Sequence, residues 1–488
     1  MSTGTGTGAS PPTTVVGESD MSTAARVRQR RAIGLLVPLV LLIVAGGLRF
    51  HRLDEPPRIY FDEVYYVTDA RSLLELGTER GFSVHPPLGK WIIAGGIATF
   101  GDHPFGWRAT VAVAGTLTVL ATYLAGLRLF RRRGVAALAA VLLAVDGLAF
   151  TMSRIAMLDA FLALFVVVGF WLLVVDRDGQ WAAAPHVEDG PHGRLPRVRH
   201  PYRWLAGLAF GLALATKWSA VLAIGAAGLL VIGSELAWRH RATGSPWTRV
   251  WAPAVTTFGA LIAVPVALYV ASYAGWFANF PETRLGEGRC PPGEPCDVGP
   301  GDIARAWVGE QRAILRYHQA LDEPHPYRSP AQEWPVLRRP VAYHYETCDP
   351  GEADCTIPRG TVAHIVGLGN PALWWLSLLA YPGLLWLGMR HRDWRAWAVL
   401  AFLGAQYVPW LLARRPLFLF YLTPVVPFMA LALAFCAGRL AERRWLRWTP
   451  WAVAAAAGAT FAFFYPIYAA LPIDLEAWQL RMWFDRWI

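Results

Sequence analysis

Apolar runs of roughly 20 residues, the length that crosses a bilayer as a helix, recur along this chain from Ile33 to Leu471. Within lipid every backbone N–H and C=O must be paired inside the protein, so each run has to be helical. The expected fold is an all-α polytopic membrane protein. Composition agrees: 16% of the residues are charged and 24 are tryptophan, against roughly 25% charged in soluble domains. The formal charge of +10 would suit nucleic acid. The basic residues, however, lie in short loops between apolar runs, as membrane topology produces, and no nucleic-acid partner is expected.

Eleven spans are expected, near 33–48, 107–128, 134–151, 155–175, 204–216, 219–238, 251–272, 371–389, 395–412, 416–437 and 450–471. Residues 204–238 form two spans around Lys217, because one helix of that length would reach roughly 52 Å. Residues 1–31, rich in Gly, Thr, Ser and Pro, read as a disordered tail. Ile33–Leu48 is followed by Arg49-Phe50-His51-Arg52 rather than a small-residue cleavage site, so it is a retained span and not a signal peptide. Loops on the side of the N-terminus carry Arg128 and Arg131–Arg133, Arg177 to Arg203, Arg239 to Arg249, Arg390 to Arg395, and Arg439 to Arg447. The positive-inside rule makes that side cytoplasmic and the C-terminus extracytoplasmic, in the cell membrane. The expected organisation is an N-terminal transmembrane catalytic module over 32–272 with a first outer loop at 50–106, an outer loop at 273–370, and a C-terminal transmembrane module over 371–488. In the first loop, apolar residues at 65, 66, 70, 73, 74 and 76 predict an amphipathic helix on the membrane surface.

Four of the five cysteines, Cys290, Cys296, Cys348 and Cys355, fall in the long loop. Confinement to one loop suggests disulfides on an oxidising, extracytoplasmic side. Three connectivities are open, the local pairs 290–296 and 348–355 being the simplest. Zinc is the rival, but the spacing is wider than its usual ligand pattern.

The outer ends of the spans collect ionisable groups: Asp62, Glu63, His85, Lys90, Arg154, Lys217 and Arg414-Arg415. Each is costly at membrane depth and so a functional candidate. Of the 45 basic residues only Lys90 and Lys217 are lysine. One cation alone is more simply a side chain snorkelling to headgroups; a set around a carboxylate pair suits a lipid phosphate. Asp62-Glu63 itself has a plainer reading, a helix N-cap behind Pro56-Pro57.

Phe61-Asp62-Glu63 followed by His85-Pro86-Pro87-Leu88-Gly89-Lys90 resembles the first-loop signature of the protein O-mannosyltransferases, in their actinobacterial form. Arg154 to Asp159, Thr216-Lys217-Trp218, His325 to Ser329 with Trp334-Pro335, and Tyr421 to Pro427 resemble further elements of that family, in order, over nearly all of 33–488. The long loop has no room for the β-trefoil repeats of eukaryotic members. The resemblance implies a GT-C glycosyltransferase with a mannosyl polyprenyl phosphate as lipid-linked co-substrate and no other cofactor. The acceptor would be Ser or Thr of a polypeptide, met during Sec-dependent export. It implies donor-phosphate contacts from Arg154, Lys217, Lys90 and His85, and substrate contacts from Asp159, Tyr327 and Trp334.

The chemistry fits. A departing phosphate needs its charge neutralised more than it needs a proton, so one carboxylate suffices and Asp62 is assigned as base. Glu63 either binds the acceptor or orients Asp62. A single displacement inverts the anomeric centre, and no acidic cluster suggests a metal. Another GT-C transferase would share the carboxylate. A transporter would show repeated halves and midplane polar groups, and a scaffold would not need the Asp-Glu pair.

Overall fold

The computed structural model describes residues 18–183, 198–290, 296–348 and 355–488, with side chains from residue 34. The chain is mostly helical. Helix α1, Glu18–Phe50, starts earlier than the expected first span. No glycine or proline lies between Glu18 and Gly34 to stop a helix seeded in the apolar run, so residues 18–31 are helical and not a disordered tail. Residues 1–17 of that tail lie outside the described residues.

The loop after the first span folds into two short helices, α2 (Glu63–Leu76) and α3 (Leu88–Phe100). Helix α2 buries Tyr66, Val67, Ala70 and Leu73 and leaves Val64, Tyr65 and Leu74 exposed, as a surface-lying helix does. It ends at Gly77 with φ of 71°, where a Cβ would sit 2.5 Å from the Asn279 side chain. Helices α4 (Pro104–Phe130), α5 (Arg133–Ala144), α6 (Gly147–Met152), α7 (Asp159–Ala182), α8 (Pro201–Leu214) and α9 (Ala220–Thr243) follow, then Trp251–Ser272. After the long loop come Pro371–Arg390, Trp394–Tyr407, Val426–Leu440 and Thr449–Tyr468. Helix α7 packs between α4 and α8 and is the central stave.

Among the described residues six helices are long and apolar enough to cross a membrane, and four shorter apolar helices accompany them. Two expected spans are interrupted. The run 134–151 breaks into α5 and α6 because the buried Asp146 carboxylate accepts from Ala149 N, Asn370 N and Trp374 Nε1 at 2.8–2.9 Å, capping α6. The run 416–437 holds only a 3-10 turn at Leu419–Leu422 and becomes α-helical at Val426, behind Pro416 and Pro424. The expected break around Lys217 is present, between Leu214 and Ala220.

The all-α expectation needs one correction. Val341–Thr347 (β1) and Thr361–Gly367 (β2), built from β-branched and aromatic residues, pair antiparallel with a bulge between Ala342 and His344; Ile473–Asp474 (β3) adds to β2. This sheet ties the long loop to the C-terminal segment. Arg58 pairs with Glu346 at 2.8 Å and Arg339 donates to the Arg486 carbonyl at 2.8 Å, so the first loop, the long loop and the C-terminus meet on one face. At the other end Arg132 donates to Gly438 O at 3.1 Å and Arg131 approaches Asp178 at 3.6 Å.

Candidate active site

Asp62 stands at the N-cap of α2, just after Phe61, whose φ of 54° is unusual for a bulky residue. Its backbone carbonyl accepts from Tyr65 N and Tyr66 N at 3.1 and 3.2 Å, but its carboxylate does not cap the helix. The plain capping role is therefore unfilled. The Phe61 ring, wedged edge-on against Tyr343 at 4.8 Å and Phe420 at 6.0 Å, holds the turn.

Glu63 has a different task. It is fully buried and binds the fully buried Arg108 through two bonds of 2.9 and 3.0 Å. It also accepts from Ala156 N at 2.8 Å. Arg108 spends its remaining donors on the carbonyls of Leu53, Pro56 and Arg58 at 2.7–3.2 Å, with its guanidinium 4.8 Å above the Tyr60 ring. The Glu63 oxygens are thus committed, and this clamp fixes the loop carrying Asp62.

A cavity of about 330 Å³ lies beside this loop, lined among others by His85, Asp159, Lys217, Trp218, His318, Arg415 and Tyr421. Lys217 Nζ bonds both Asp159 oxygens at 2.8 and 2.9 Å and sits 5.3 Å above the Tyr421 ring. Arg415 donates to Tyr421 OH at 2.7 Å and to His318 Nδ1 at 2.8 Å. His318 Nε2 in turn donates to Val84 O at 3.0 Å, which fixes its neutral tautomer. Burial pushes His318 below the ordinary histidine range. It pushes His85 well below, helped by the Lys217 charge. Burial also pushes the Asp62 carboxyl up to about 6; Lys217 opposes this and Asp159 adds to it. The pocket combines two cations, two neutral imidazoles and the Asp159 carboxylate bound to Lys217; Asp62 stands outside its lining, close enough to feel the Lys217 and Asp159 charges, and among the described residues its carboxylate has no hydrogen-bond partner.

Several expected residues stand elsewhere. Arg154 donates to the carbonyls of Leu48, Arg49, His51 and Arg52 at 2.6–3.4 Å, closing the C-terminal end of α1. The claim of these carbonyls on the guanidinium keeps it from the pocket. Lys90 is fully buried with Asp69, Glu79, Ser83 and the His85 carbonyl, bracing the His85 loop. Trp334 is core, its Nε1 bonded to Ser329 Oγ at 2.9 Å. Tyr327 is half-buried under Arg339, outside the cavity lining. Cys290 is bonded to Cys296 and Cys348 to Cys355, with Cα separations of 4.7 and 5.6 Å. Among the described residues no three His, Cys, Asp or Glu side chains gather as metal ligands. Sequence reasoning missed His318 and Arg108, and it quoted Tyr421 only as the start of a late motif, without a role. It had noted Arg415 at an outer span end but given it no role.

Known families match this chain. A model described as dolichyl-phosphate-mannose-protein mannosyltransferase matches residues 99–278, and the C-terminal four-span region of protein-O-mannosyltransferase matches 303–487. The polyprenol-phosphate-mannose–protein mannosyltransferase of Mycolicibacterium smegmatis is 32% identical, with 94% of this chain and 93% of that one covered. The protein of the same name from Corynebacterium glutamicum is 30% identical, with 88% of each covered. The solved Pmt1-Pmt2 complex of S. cerevisiae, bound to the sugar donor, has the same fold at a TM-score of 0.74 and 16% identity, with 93% and 92% covered. ArnT from Cupriavidus metallidurans, bound to undecaprenyl phosphate, follows at a TM-score of 0.53 and 16% identity, with 91% and 76% covered.

Proposed function

We infer, because this chain belongs to the polyprenol-phosphate-mannose–protein mannosyltransferase family, that it is a glycosyltransferase moving mannose from a polyprenyl-phosphate carrier to protein. The finer reading, with a Ser or Thr hydroxyl as acceptor on the extracytoplasmic face, rests above all on the Asp62 carboxylate. It is held beside the cavity by its neighbours yet is not used by them.

The acceptor oxygen attacks the anomeric carbon while the bond from that carbon to the phosphate oxygen breaks. The hydroxyl proton passes to Asp62, and the polyprenyl phosphate leaves with one more negative charge than it had as a diester. A single displacement of this kind inverts the anomeric centre. Lys217 and Arg415, both in the cavity lining, would stabilise that charge in a poorly screened space where cations act strongly. No metal is required in this scheme. Asp159 holds the Lys217 ammonium in place, and the neutral His85 and His318 add no competing charge. The apolar part of the cavity, along Val221, Leu222 and Trp410, would take the start of the prenyl chain.

Asp62→Asn tests this directly. The swap keeps shape and removes the base, worth about 10² to 10⁴ in rate. Transfer of labelled mannose from a polyprenyl donor to a Ser/Thr peptide should fall by that factor with donor affinity retained. Turnover near wild type would remove Asp62 from the chemistry.

A further inference from the structure

Helix α7 carries Asp159 at one end and Arg177 near the other, about 27 Å away at 1.5 Å per residue. Beside Arg177 a second cavity, of about 420 Å³, opens between α7, α9 and the helices Pro371–Arg390 and Trp394–Tyr407. Nothing in the transfer reaction uses it.

Arg177 is the core of this cavity. Its guanidinium carbon lies 3.6 Å from the centre of the Trp394 ring and 4.8 Å from that of Trp181. The Trp181 indole is fixed by an Nε1 bond to Ser234 Oγ at 3.1 Å. Two indole rings thus flank the guanidinium, and among the described residues no side chain or carbonyl hydrogen-bonds its N–H donors, which leaves them to recognise an oxyanion. The carboxylates nearby are engaged with other arginines: Asp178 faces Arg131 at 3.6 Å, and Asp393 holds Arg395 at 2.5 Å. Among the described residues Arg177 and Arg392, both in the cavity lining, have no carboxylate of their own. The remaining wall is apolar and faces outward: Leu229 is 69% exposed, and beyond Gly233 there is no atom within 4 Å of where a Cβ would be.

We propose that this cavity binds an anionic bilayer phospholipid, its phosphate on the Arg177 and Arg392 guanidiniums and one acyl chain along α9. The open apolar wall favours a lipid over a free phosphate. The distance from Asp159 separates this site from the one where the polyprenyl phosphate is released. A bilayer core is about 30 Å thick, so an anion-binding rim about 27 Å from the catalytic end falls at the opposite headgroup level.

Native mass spectrometry of the delipidated full-length protein, offered equal phosphatidylglycerol and phosphatidylcholine, tests the proposal. Phosphatidylglycerol should be retained selectively. Arg177→Gln should lower its occupancy about tenfold or more, as loss of charged hydrogen bonds does. Gly233→Leu should lower it similarly by filling the cavity with the charge intact; leucine is the better helix former, so folding is not at stake. Arg443→Gln, an exposed arginine outside the cavity, should change nothing. Equal retention of the two lipids, or undiminished phosphatidylglycerol in Gly233→Leu, would overturn the proposal. So would displacement by millimolar inorganic phosphate, or preference for a polyprenyl monophosphate over phosphatidylglycerol.

Discussion

Replacing Glu63 by glutamine should unfold the catalytic loop rather than merely slow the chemistry. Glu63 and Arg108 are both fully buried and joined by two bonds of 2.9 and 3.0 Å. Neutralising the carboxylate leaves the guanidinium charge without a counterion. Removing one partner of a buried pair typically costs about 3–5 kcal/mol, because the other charge stays desolvated. The Ala156 N–H, at 2.8 Å from Glu63 Oε1, can still meet the amide oxygen, so the loss is mainly electrostatic. At roughly 2 °C per kcal/mol for larger domains, melting in detergent should drop by on the order of 6–10 °C. Protease sensitivity should rise in the 50–62 segment, whose carbonyls Arg108 holds. Asp62→Asn should show neither change. The double variant Glu63→Leu with Arg108→Met should regain much of the stability, since a buried pair can be replaced by apolar groups far more cheaply than it can be broken. The assay is thermal unfolding by fluorescence-detected size exclusion, run beside mannose transfer. If Glu63→Gln melts like wild type yet transfers no sugar, Glu63 is the base and the division of labour argued from its hydrogen bonds is wrong.

Arg154→Gln should leave the donor KM unchanged and lower melting, because its guanidinium closes the end of α1; kinetics with varied donor check this. Arg415→Gln should instead raise donor KM by about 10- to 150-fold, the value of a hydrogen bond to a charged group. The Asp62 carboxyl, pushed up to about 6 by burial from an unfolded value of about 3.9, holds its proton more tightly folded than unfolded. Its ionisation therefore costs stability progressively between about pH 4 and 6 and fully above that, so Asp62→Asn should melt higher than wild type at pH 7.5 and equally at pH 4. The transfer rate of the wild type should climb through about pH 6 and then level.

The sequence shows the fold best where one physical constraint dominates. Backbone pairing in lipid forces helices, so the expected apolar runs all contain them. The break at Lys217 followed from length alone. Interruptions set by tertiary partners were not legible: nothing near Asp146 announces that Asn370 and Trp374, more than two hundred residues later, will bind its carboxylate. The site divides the same way. Asp159, Lys217 and His85 line one cavity with Asp62 within reach of their charges, and their motifs marked them. Arg154 and Lys90 carry the right charge at the right depth, but depth does not give direction. Which way a guanidinium points depends on unsatisfied carbonyls at the end of α1 and on two carboxylates around Lys90, and both are facts of packing. His318 was hidden for a related reason: it sits in the helix Pro300–Ala320 of the long loop, where no span end marks it out.

Asp62 and Glu63 are adjacent in sequence, and the structure separates them by environment. A carboxylate surrounded by donors is a poor base, since every bond it accepts stabilises its charged form. A carboxylate with no donors is a better one but has nothing of its own to hold it still. The two residues together resolve that conflict. Glu63 takes the donors from Arg108 and Ala156 and anchors the backbone, while Phe61, in a left-handed conformation and wedged against Tyr343, turns the chain at the next position. Asp62, between them, is oriented entirely through its main chain, and its oxygens remain available to a substrate. The cost is carried by the buried clamp, with the strained φ at Phe61 tolerated because rings on either side leave it no room to relax. Loosening the clamp and deleting the proposed base should therefore be distinguishable in every assay except the one that measures product.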